Sequence, residues 1–130
     1  MKPLPAPVDS DPLTRAVIGA AMRVHSTLGP GLLEGVYETC LAYELDKAGM
    51  QVRTQVPLAV VYDGNKLDPG YRLDLLVNEQ RLVEVKSVDR LASIHLAQVL
   101  TYLRLSSLRI GLLLNFNVEH LRNGIRRIAN

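Results

Sequence analysis

The fold of this chain is decided by residues 71–86, which read YRLDLLV (71–77), NEQ (78–80) and RLVEVK (81–86). Alternating apolar residues in both arms, with polar turn residues between them, predict a β-hairpin. If the residues that flank the turn face each other, Asp74 and Glu84 also pair and project from the same face of the sheet. Lys86 follows Glu84 by two residues, so its side chain emerges on that face too. The hairpin is therefore expected to bring two carboxylates and one ammonium group together.

Apolar residues surround this charged trio, which favours a half-buried cluster. The expected alternation places five apolar residues on one face and two beside the charges on the other: Leu73, Leu75, Val77, Val83 and Val85, then Leu76 and Leu82. Buried charge is tolerated only when it is paired or metal-bound, and two carboxylates repel each other unless a proton or cation lies between them. The alternative interpretation is an ordinary exposed strand. The apolar surroundings indicate a metal-dependent hydrolytic site.

The composition is that of a soluble globular protein with one domain. The chain has 130 residues, of which 48% are hydrophobic and 22% charged, which excludes global disorder. No apolar run reaches the roughly 18 residues that a membrane span needs. Residues 1–10 contain three prolines and no hydrophobic signal segment, so we expect a flexible leader followed by a single domain over 11–130. The lone Cys40 fits a reducing cytoplasm and a thiol in the core.

The two parts of the chain differ in charge. Residues 1–80 carry seven Lys/Arg against ten Asp/Glu, whereas residues 81–130 carry eight against three. The basic part includes Arg90, Arg104, Arg109, Arg122, Arg126 and Arg127. A basic patch of this kind can attract polyanions, although basic C-terminal tails also occur on proteins that never bind nucleic acid.

Helical segments are predicted on both sides of the hairpin. The sequence Asp11-Pro12 is typical of an N-cap followed by the first helical residue, and that helix ends near the glycine- and proline-rich residues 28–31. The further predicted elements are a helix at about 34–48, strands at 52–56 and 58–62 bent or interrupted at Pro57, a turn at 63–65, a helix at about 92–105, a doubly buried strand at 110–116, and a short final helix or strand. The order α-α-β-β-β-α-β predicts a right-handed crossover and a mixed central sheet in a three-layer α/β/α sandwich.

The charged trio suits phosphodiester hydrolysis. Mg²⁺ and Mn²⁺ prefer carboxylate and water oxygens, which Asp74 and Glu84 supply, and the backbone carbonyl of Val85 could add a third ligand. Lys86 could orient or deprotonate water, or neutralise charge in the transition state. Without a His/Cys cluster at zinc-ligand spacing, zinc is disfavoured.

Two helices carry further candidate residues. Glu34 and Glu38 are four residues apart on one helical face, although an acid in the first turn also simply favours the helix dipole. Gln98 and Tyr102 have the same spacing on the later helix, within reach of each other and of a phosphate. An isolated pair of this kind more often belongs to surface and core.

Asp74, the tripeptide Glu84-Val85-Lys86 and the helix bearing Gln98 and Tyr102 together resemble the PD-(D/E)XK nuclease superfamily, especially its RecB-like exonuclease branch. Leu73 stands where the motif's proline is often found. Residues 31–37, GLLEGVY, match the signature of the GxxExxY protein family within that superfamily. Similarity to that family extends over about residues 17–117 and includes His25, residues 28–31 and Glu38.

The resemblance implies a restriction-endonuclease-like αβββαβ core, a magnesium or manganese cofactor and a nucleic-acid substrate. It implies metal ligation by Asp74 and Glu84 and a catalytic role for Lys86. Glu38 or Glu34 would complete the site, and the sequence does not choose between them. Gln98 and Tyr102 would support the site and approach nucleic acid, whereas His25 has a capping or core role as its alternative.

Two functions follow as hypotheses. The first is a divalent-metal-dependent nuclease acting on DNA or RNA, because carboxylate, carboxylate and ammonium are all in place. The second is a non-catalytic binding or assembly module that retains the fold, since aromatic residues make up only 5% of the chain and base-stacking surfaces are scarce. A homodimer is expected under both, because a chain this short offers little surface for grasping a duplex.

Overall fold

The computed structural model of the protein describes residues 2–3 and 11–130. Most of the leader predicted over residues 1–10 therefore lies outside the described residues. Its two described members form a two-residue strand, Lys2–Pro3, which pairs antiparallel with the last strand of the chain.

The described residues form three α-helices and one six-stranded sheet. In chain order the elements are β1 (Lys2–Pro3), α1 (Pro12–Leu28), α2 (Glu34–Lys47), β2 (Val52–Tyr62), β3 (Asn65–Val77), β4 (Arg81–Lys86), α3 (Ser93–Ser106), β5 (Ile110–Asn115), a 3₁₀ turn (Leu121–Gly124) and β6 (Ile125–Ala129). The strand order across the sheet is β1-β6-β5-β4-β3-β2. Strands β4 and β5 are parallel and the other neighbours antiparallel, so the predicted mixed sheet is confirmed. The C-terminal tail supplies both a short helical turn and a strand.

Helices cover both faces of the sheet, which confirms the three-layer α/β/α sandwich. Helices α1 and α2 pack over the first core, whose buried members include Val17, Val24, Tyr37, Leu41, Leu45, Leu75, Val77, Val83, Val85, Leu112, Leu114 and Phe116. Helix α3 packs over the second core, which includes Val56, Leu58, Leu73, Leu76, Leu82, Val99, Leu100, Tyr102, Leu103, Leu113 and Ile128. No helix among the described residues is long and apolar enough to cross a membrane.

The side-chain alternation of β3 reverses at Asp74, which corrects the face expected for Leu73. Leu73 lies in the second core, whereas Leu75 and Val77 lie in the first. Strict period-2 alternation would have kept all three on one face. The charged residue therefore marks a local irregularity of the strand, at the level where the site is built.

Strand β2 is irregular at the same level. Its register places Gln55 opposite Asp74, and Gln55 has a φ of 51°, in the left-handed region that non-glycine residues rarely adopt. Pro57, expected to bend or interrupt this strand, lies within β2 and does not end it. A second irregularity follows between Leu58 and Val60.

Asp11 joins the start of α1 to the sheet. One carboxylate oxygen accepts the Leu13 and Thr14 amides at 3.1 and 3.4 Å, which confirms the predicted N-cap. The other oxygen lies 2.7 Å from Arg81 and 3.3 Å from Arg127, both of which are buried. Arg127 was expected among the residues of the basic patch; its burial against Asp11 removes it from the protein surface.

Gly111 of β5 lies where α3 comes close to the sheet. A Cβ atom there would lie 2.9 Å from Val99 Cγ1 and 3.3 Å from Leu103 Cδ2. We expect Gly111→Ala to lower the free energy of unfolding by about 1–3 kcal/mol, because α3 or its side chains must move. Gly19→Ala in α1, with one ordinary contact at 3.8 Å, should instead raise it by about 0.5–1 kcal/mol. Urea unfolding of both variants measures these changes, and equal stabilities would contradict the close approach of α3.

Candidate active site

The predicted hairpin register is confirmed as far as Leu75–Val83, but the expected pair Asp74–Glu84 is not part of the strand ladder. Strands β3 and β4 pair from Val77–Arg81 to Leu75–Val83. At the next step, side chains replace the backbone ladder. The Asp74 amide donates to Glu84 Oε2 at 2.8 Å, and the Val85 amide donates to Asp74 Oδ2 at 2.8 Å. Each carboxylate is thus fixed by a backbone amide of the opposite strand.

The two carboxyl groups are costly to ionise in this position. Burial raises the pKa of Glu84 to about 8, and the neighbouring Asp74 carboxylate contributes to the increase. Burial also raises the pKa of Asp74, although the hydrogen bond from Val85 and the charge of Lys86 oppose the shift. Glu84 is only 3% exposed. Full ionisation of the pair is therefore unfavourable unless a cation lies nearby.

Lys86 ends β4, two residues beyond Glu84, and its side chain is partly exposed. Its positive charge opposes the increase in the pKa values of both Asp74 and Glu84, which is consistent with an ammonium group near them, as the alternation predicts. None of the ion pairs among the described residues involves Lys86. The Phe116 amide donates to the Lys86 carbonyl at 2.9 Å and continues the contact between β4 and β5.

Helix α2 brings a third carboxylate to the pair. Gln55 Nε2 lies 3.0 and 2.9 Å from the two carboxylate oxygens of Glu38, and 3.5 Å from Asp74 Oδ1. Burial raises the pKa of Glu38, and the negative charges of Asp74 and Glu34 raise it further. Glu34 is exposed and acts on the site through charge. Of the two α2 candidates, Glu38 is the one that a hydrogen-bonded residue connects to Asp74.

Tyr37, the tyrosine of the GLLEGVY segment, fixes the start of α2. Its ring stacks on Phe116 with the centroids 4.6 Å apart, and its hydroxyl donates to the Gly29 carbonyl at 2.6 Å. The Leu32 amide donates to the same hydroxyl at 3.1 Å. Tyr37 thus holds the α1–α2 loop, and with it the helix that carries Glu38.

Helix α3 brings Gln98 and Tyr102 to the same region. Burial raises the pKa of the Tyr102 phenol, and the charge of Glu84 adds to the effect, whereas a hydrogen bond with the Gln98 side chain opposes it. The Tyr71 ring lies 6.1 Å from the Tyr102 ring, centroid to centroid. The charges of Glu84 and Asp74 both act on the Tyr102 phenol, so this residue of α3 lies near the acidic cluster.

His25 makes its contacts outside this cluster. Its Nε2 atom lies 2.8 Å from the carbonyl oxygen of Val118, and its ring is 6.3 Å from that of Phe116. In the described part of the chain, no hydrogen bond joins His25 to the acidic side chains. These contacts match the core role that the sequence left open as the alternative.

Two polar residues of this region escaped the sequence analysis. Gln55 bridges Glu38 and Asp74. The sequence feature that could have indicated it is a polar residue on β2 at the level of Asp74, between the pairs Thr54–Leu75 and Val56–Leu73. Asn115 is buried and bonds both backbone groups of Val88, at 3.0 and 2.9 Å. The sequence feature that could have indicated Asn115 is a side-chain amide at the end of an apolar strand, opposite Lys86 in the parallel pairing.

The donor set fits a hard divalent cation. Within residues 2–3 and 11–130, no three His, Cys, Asp or Glu side chains are gathered closely enough to hold a metal on their own. Mg²⁺ does not require such a cage, because it keeps several waters and binds through one or two carboxylates plus substrate phosphate. Asp74 and Glu84 would supply those carboxylates, because backbone amides already fix both. The third acid, Glu38, is hydrogen-bonded to the Gln55 amide, which also lies 3.5 Å from Asp74 Oδ1.

Comparison with known proteins agrees with this geometry. Neither the curated proteins nor the solved structures include a significant match to the chain. The family model of the PD-(D/E)XK nuclease superfamily matches residues 11–128, which include every acidic residue of the site and both helices that flank it. Membership implies metal-dependent nuclease chemistry and a nucleic-acid substrate. The chain belongs to the PD-(D/E)XK nuclease superfamily.

Proposed function

We propose that this protein is an active nuclease that hydrolyses phosphodiester bonds of DNA or RNA with Mg²⁺ or Mn²⁺. The reciprocal arrangement of Asp74 and Glu84 carries the proposal. Two adjacent carboxylates, one buried and one half-buried, cost stability, and each accepts a hydrogen bond from an amide of the opposite strand. Costly groups with raised pKa values, held next to a lysine, are typical of catalytic sites.

The proposed metal ligands are Asp74, Glu84 and the backbone carbonyl of Val85, with Glu38 as a further ligand. When bound, the ion would supply Lewis-acid stabilisation of the phosphate and a more acidic water. The hydrogen bonds to Asp74 and Glu84 keep both carboxylates turned towards each other before any ligand arrives. This preorganisation reduces the rearrangement that binding requires.

Lys86 is the proposed catalytic lysine. Its ammonium group lies near both carboxylates without an ion pair that would hold it in place, so it remains available to a phosphate or to the attacking water. There it would orient water and offset the negative charge of the transition state. Gln98 and Tyr102 would contact the nucleic acid or support the site, and Glu34 would contribute negative charge at its rim.

We also propose a narrower classification and setting. The GLLEGVY segment supports membership of the GxxExxY family and the RecB-like branch, because its tyrosine and the following Glu38 both serve the site. Exposed aromatic residues on α2 and β2, Tyr43 and Tyr62, support a homodimer. The free thiol Cys40 supports a reducing, cytoplasmic setting.

Metal binding tests the proposed ligands directly. We expect Mn²⁺ to bind the wild-type protein in calorimetry, and Asp74→Ala to lose that binding, because one of two fixed carboxylates is removed. Asp46→Ala, which removes an exposed acid of α2, should bind as the wild type does. The titrations are run with and without a short DNA duplex, so that a metal site that needs a phosphate ligand is also detected. Failure to bind under both conditions would favour a non-catalytic module.

Lys86→Ala tests the catalytic role. We expect nucleic-acid cleavage to fall by about 100-fold or more, since the charge that offsets the transition state is lost. Circular dichroism and Mn²⁺ binding should persist, because the side chain is partly exposed and is not a proposed ligand. Lys47→Ala, on the surface of α2, is the matched control. Full activity in Lys86→Ala would exclude the proposed site.

The pKa of Glu84 predicts how stability depends on pH. The folded protein, with a Glu84 pKa of about 8, retains a proton that the unfolded chain loses near the ordinary value of 4.5. The free energy of unfolding of the metal-free protein should therefore fall as pH rises between those values. At pH 8, Glu84→Gln should stabilise this form by about 1–3 kcal/mol, because no charge is buried.

Urea unfolding at pH 5.5 and pH 8, in chelator, measures this effect. Saturating Mn²⁺ at pH 8 should restore the stability of the wild type and leave Glu84→Gln nearly unchanged. Asp46→Gln or another substitution of an exposed acid should follow the wild-type profile. An identical pH profile for wild type and Glu84→Gln would show that the Glu84 carboxyl ionises without cost.

A further inference from the structure

Gln55 has a backbone conformation that a glutamine rarely adopts. Its φ of 51° interrupts β2 between two regular pairs, Thr54–Leu75 and Val56–Leu73. Such a conformation costs on the order of 1 kcal/mol or more in a non-glycine residue and persists where surrounding contacts impose it. Hydrogen bonds of the Gln55 side chain offset this cost.

The Gln55 amide nitrogen is in contact with three carboxylate oxygens. It lies 3.0 and 2.9 Å from the oxygens of Glu38 and 3.5 Å from Asp74 Oδ1. The nitrogen faces the acids, and this is the orientation that two ionised carboxylates require, because they only accept hydrogen bonds. Two N–H groups thus lie between two carboxylates that otherwise repel each other.

A cation shared by Glu38 and Asp74 would need the same space. Mg²⁺ binds oxygen at about 2.0–2.1 Å, so it would have to lie between the carboxylates that the nitrogen now contacts. The nitrogen and the ion cannot both occupy that position. Gln55 is exposed on β2, one of the two edge strands of the described sheet, and its side chain has room to turn towards solvent.

We infer that Gln55 is a positioning residue that takes the place of the cation in the metal-free protein. Its amide holds Glu38 beside Asp74 and withdraws when a divalent ion binds. Metal binding therefore competes with a hydrogen bond that the protein makes to its own ligands, and Gln55 sets the metal concentration at which the site fills. This inference rests on the proposed metal site and adds to it a residue that lowers the affinity for metal.

A substitution that shortens the side chain tests this competition. Gln55→Asn is suitable because asparagine tolerates the same backbone conformation, while its amide is one methylene too short to span the acids. Calorimetry should show Mn²⁺ binding about five- to tenfold tighter than in the wild type, the equivalent of one net hydrogen bond. In a Glu38→Ala background, where the amide has lost its main partner, the same change should alter the affinity by less than about twofold.

The side-chain amide resonance of Gln55 gives a second readout that does not depend on affinity. Its signal is identified by its absence from the spectrum of Gln55→Asn. We expect Mg²⁺, which is diamagnetic, to shift this resonance in the wild type and not in Asp74→Ala. A resonance that stays unchanged while calorimetry reports binding would overturn the exchange of amide for ion.

The outcomes separate this inference from the proposed function. If the wild type binds metal and cleaves nucleic acid but Gln55→Asn binds with equal or lower affinity, only the placeholder role fails. If the wild type binds no metal even with DNA present, both proposals fail together. Gln55→Asn could also increase the affinity for Mn²⁺ by the same factor in the Glu38→Ala background. That result would attribute the increase to a change in strand β2 and would overturn the role given to the Gln55 amide.

Discussion

The structure depends on one electrostatic constraint, the proximity of the Asp74 and Glu84 carboxyl groups on an otherwise apolar hairpin. Without hydrogen-bond donors or a cation, the two ionised groups would repel each other and would be more stable in water than in the sheet. Each is instead held by a backbone amide of the opposite strand, at 2.8 Å. The backbone ladder between β3 and β4 ends at this point, and the side-chain alternation of β3 reverses there. The sheet thus loses backbone hydrogen bonds, and the freed amides orient the two carboxylates instead.

The rest of the fold positions groups around that pair. The parallel neighbour β5 ends at Asn115, which fastens the segment after β4 and so fixes the strand end that carries Lys86. Tyr37 fastens the start of α2 and directs Glu38 to the sheet. Charge is also divided along β4, because Arg81 at its start meets Asp11 while Glu84 lies near its end. The start of this short strand therefore carries an ion pair, and its end carries Glu84 together with Lys86.

Sequence reasoning reached the hairpin register up to Leu75–Val83 and the three layers, because these follow from local periodicity and short turns. It placed Leu73 on the wrong face because period-2 alternation assumes an unbroken ladder, and the ladder breaks where side chains replace amides. It counted Arg127 as a surface charge because its partner, Asp11, lies 116 positions away. Gln55 was missed for a related reason: its importance comes from Glu38 on another element, which no local pattern reveals.

The Gln55 amide connects these observations. A cluster of three acids is stable without metal only if something supplies positive charge or hydrogen-bond donors in its place. Lys86 supplies charge from one side, the backbone supplies two amides, and Gln55 supplies two N–H groups at the edge. A protein that satisfies its own acids binds metal less tightly than bare carboxylates would. It would also keep the proposed ligands assembled, so that metal and phosphate together would complete a site already in place. Under the proposed function, the ion would therefore arrive with, or be secured by, the nucleic-acid substrate.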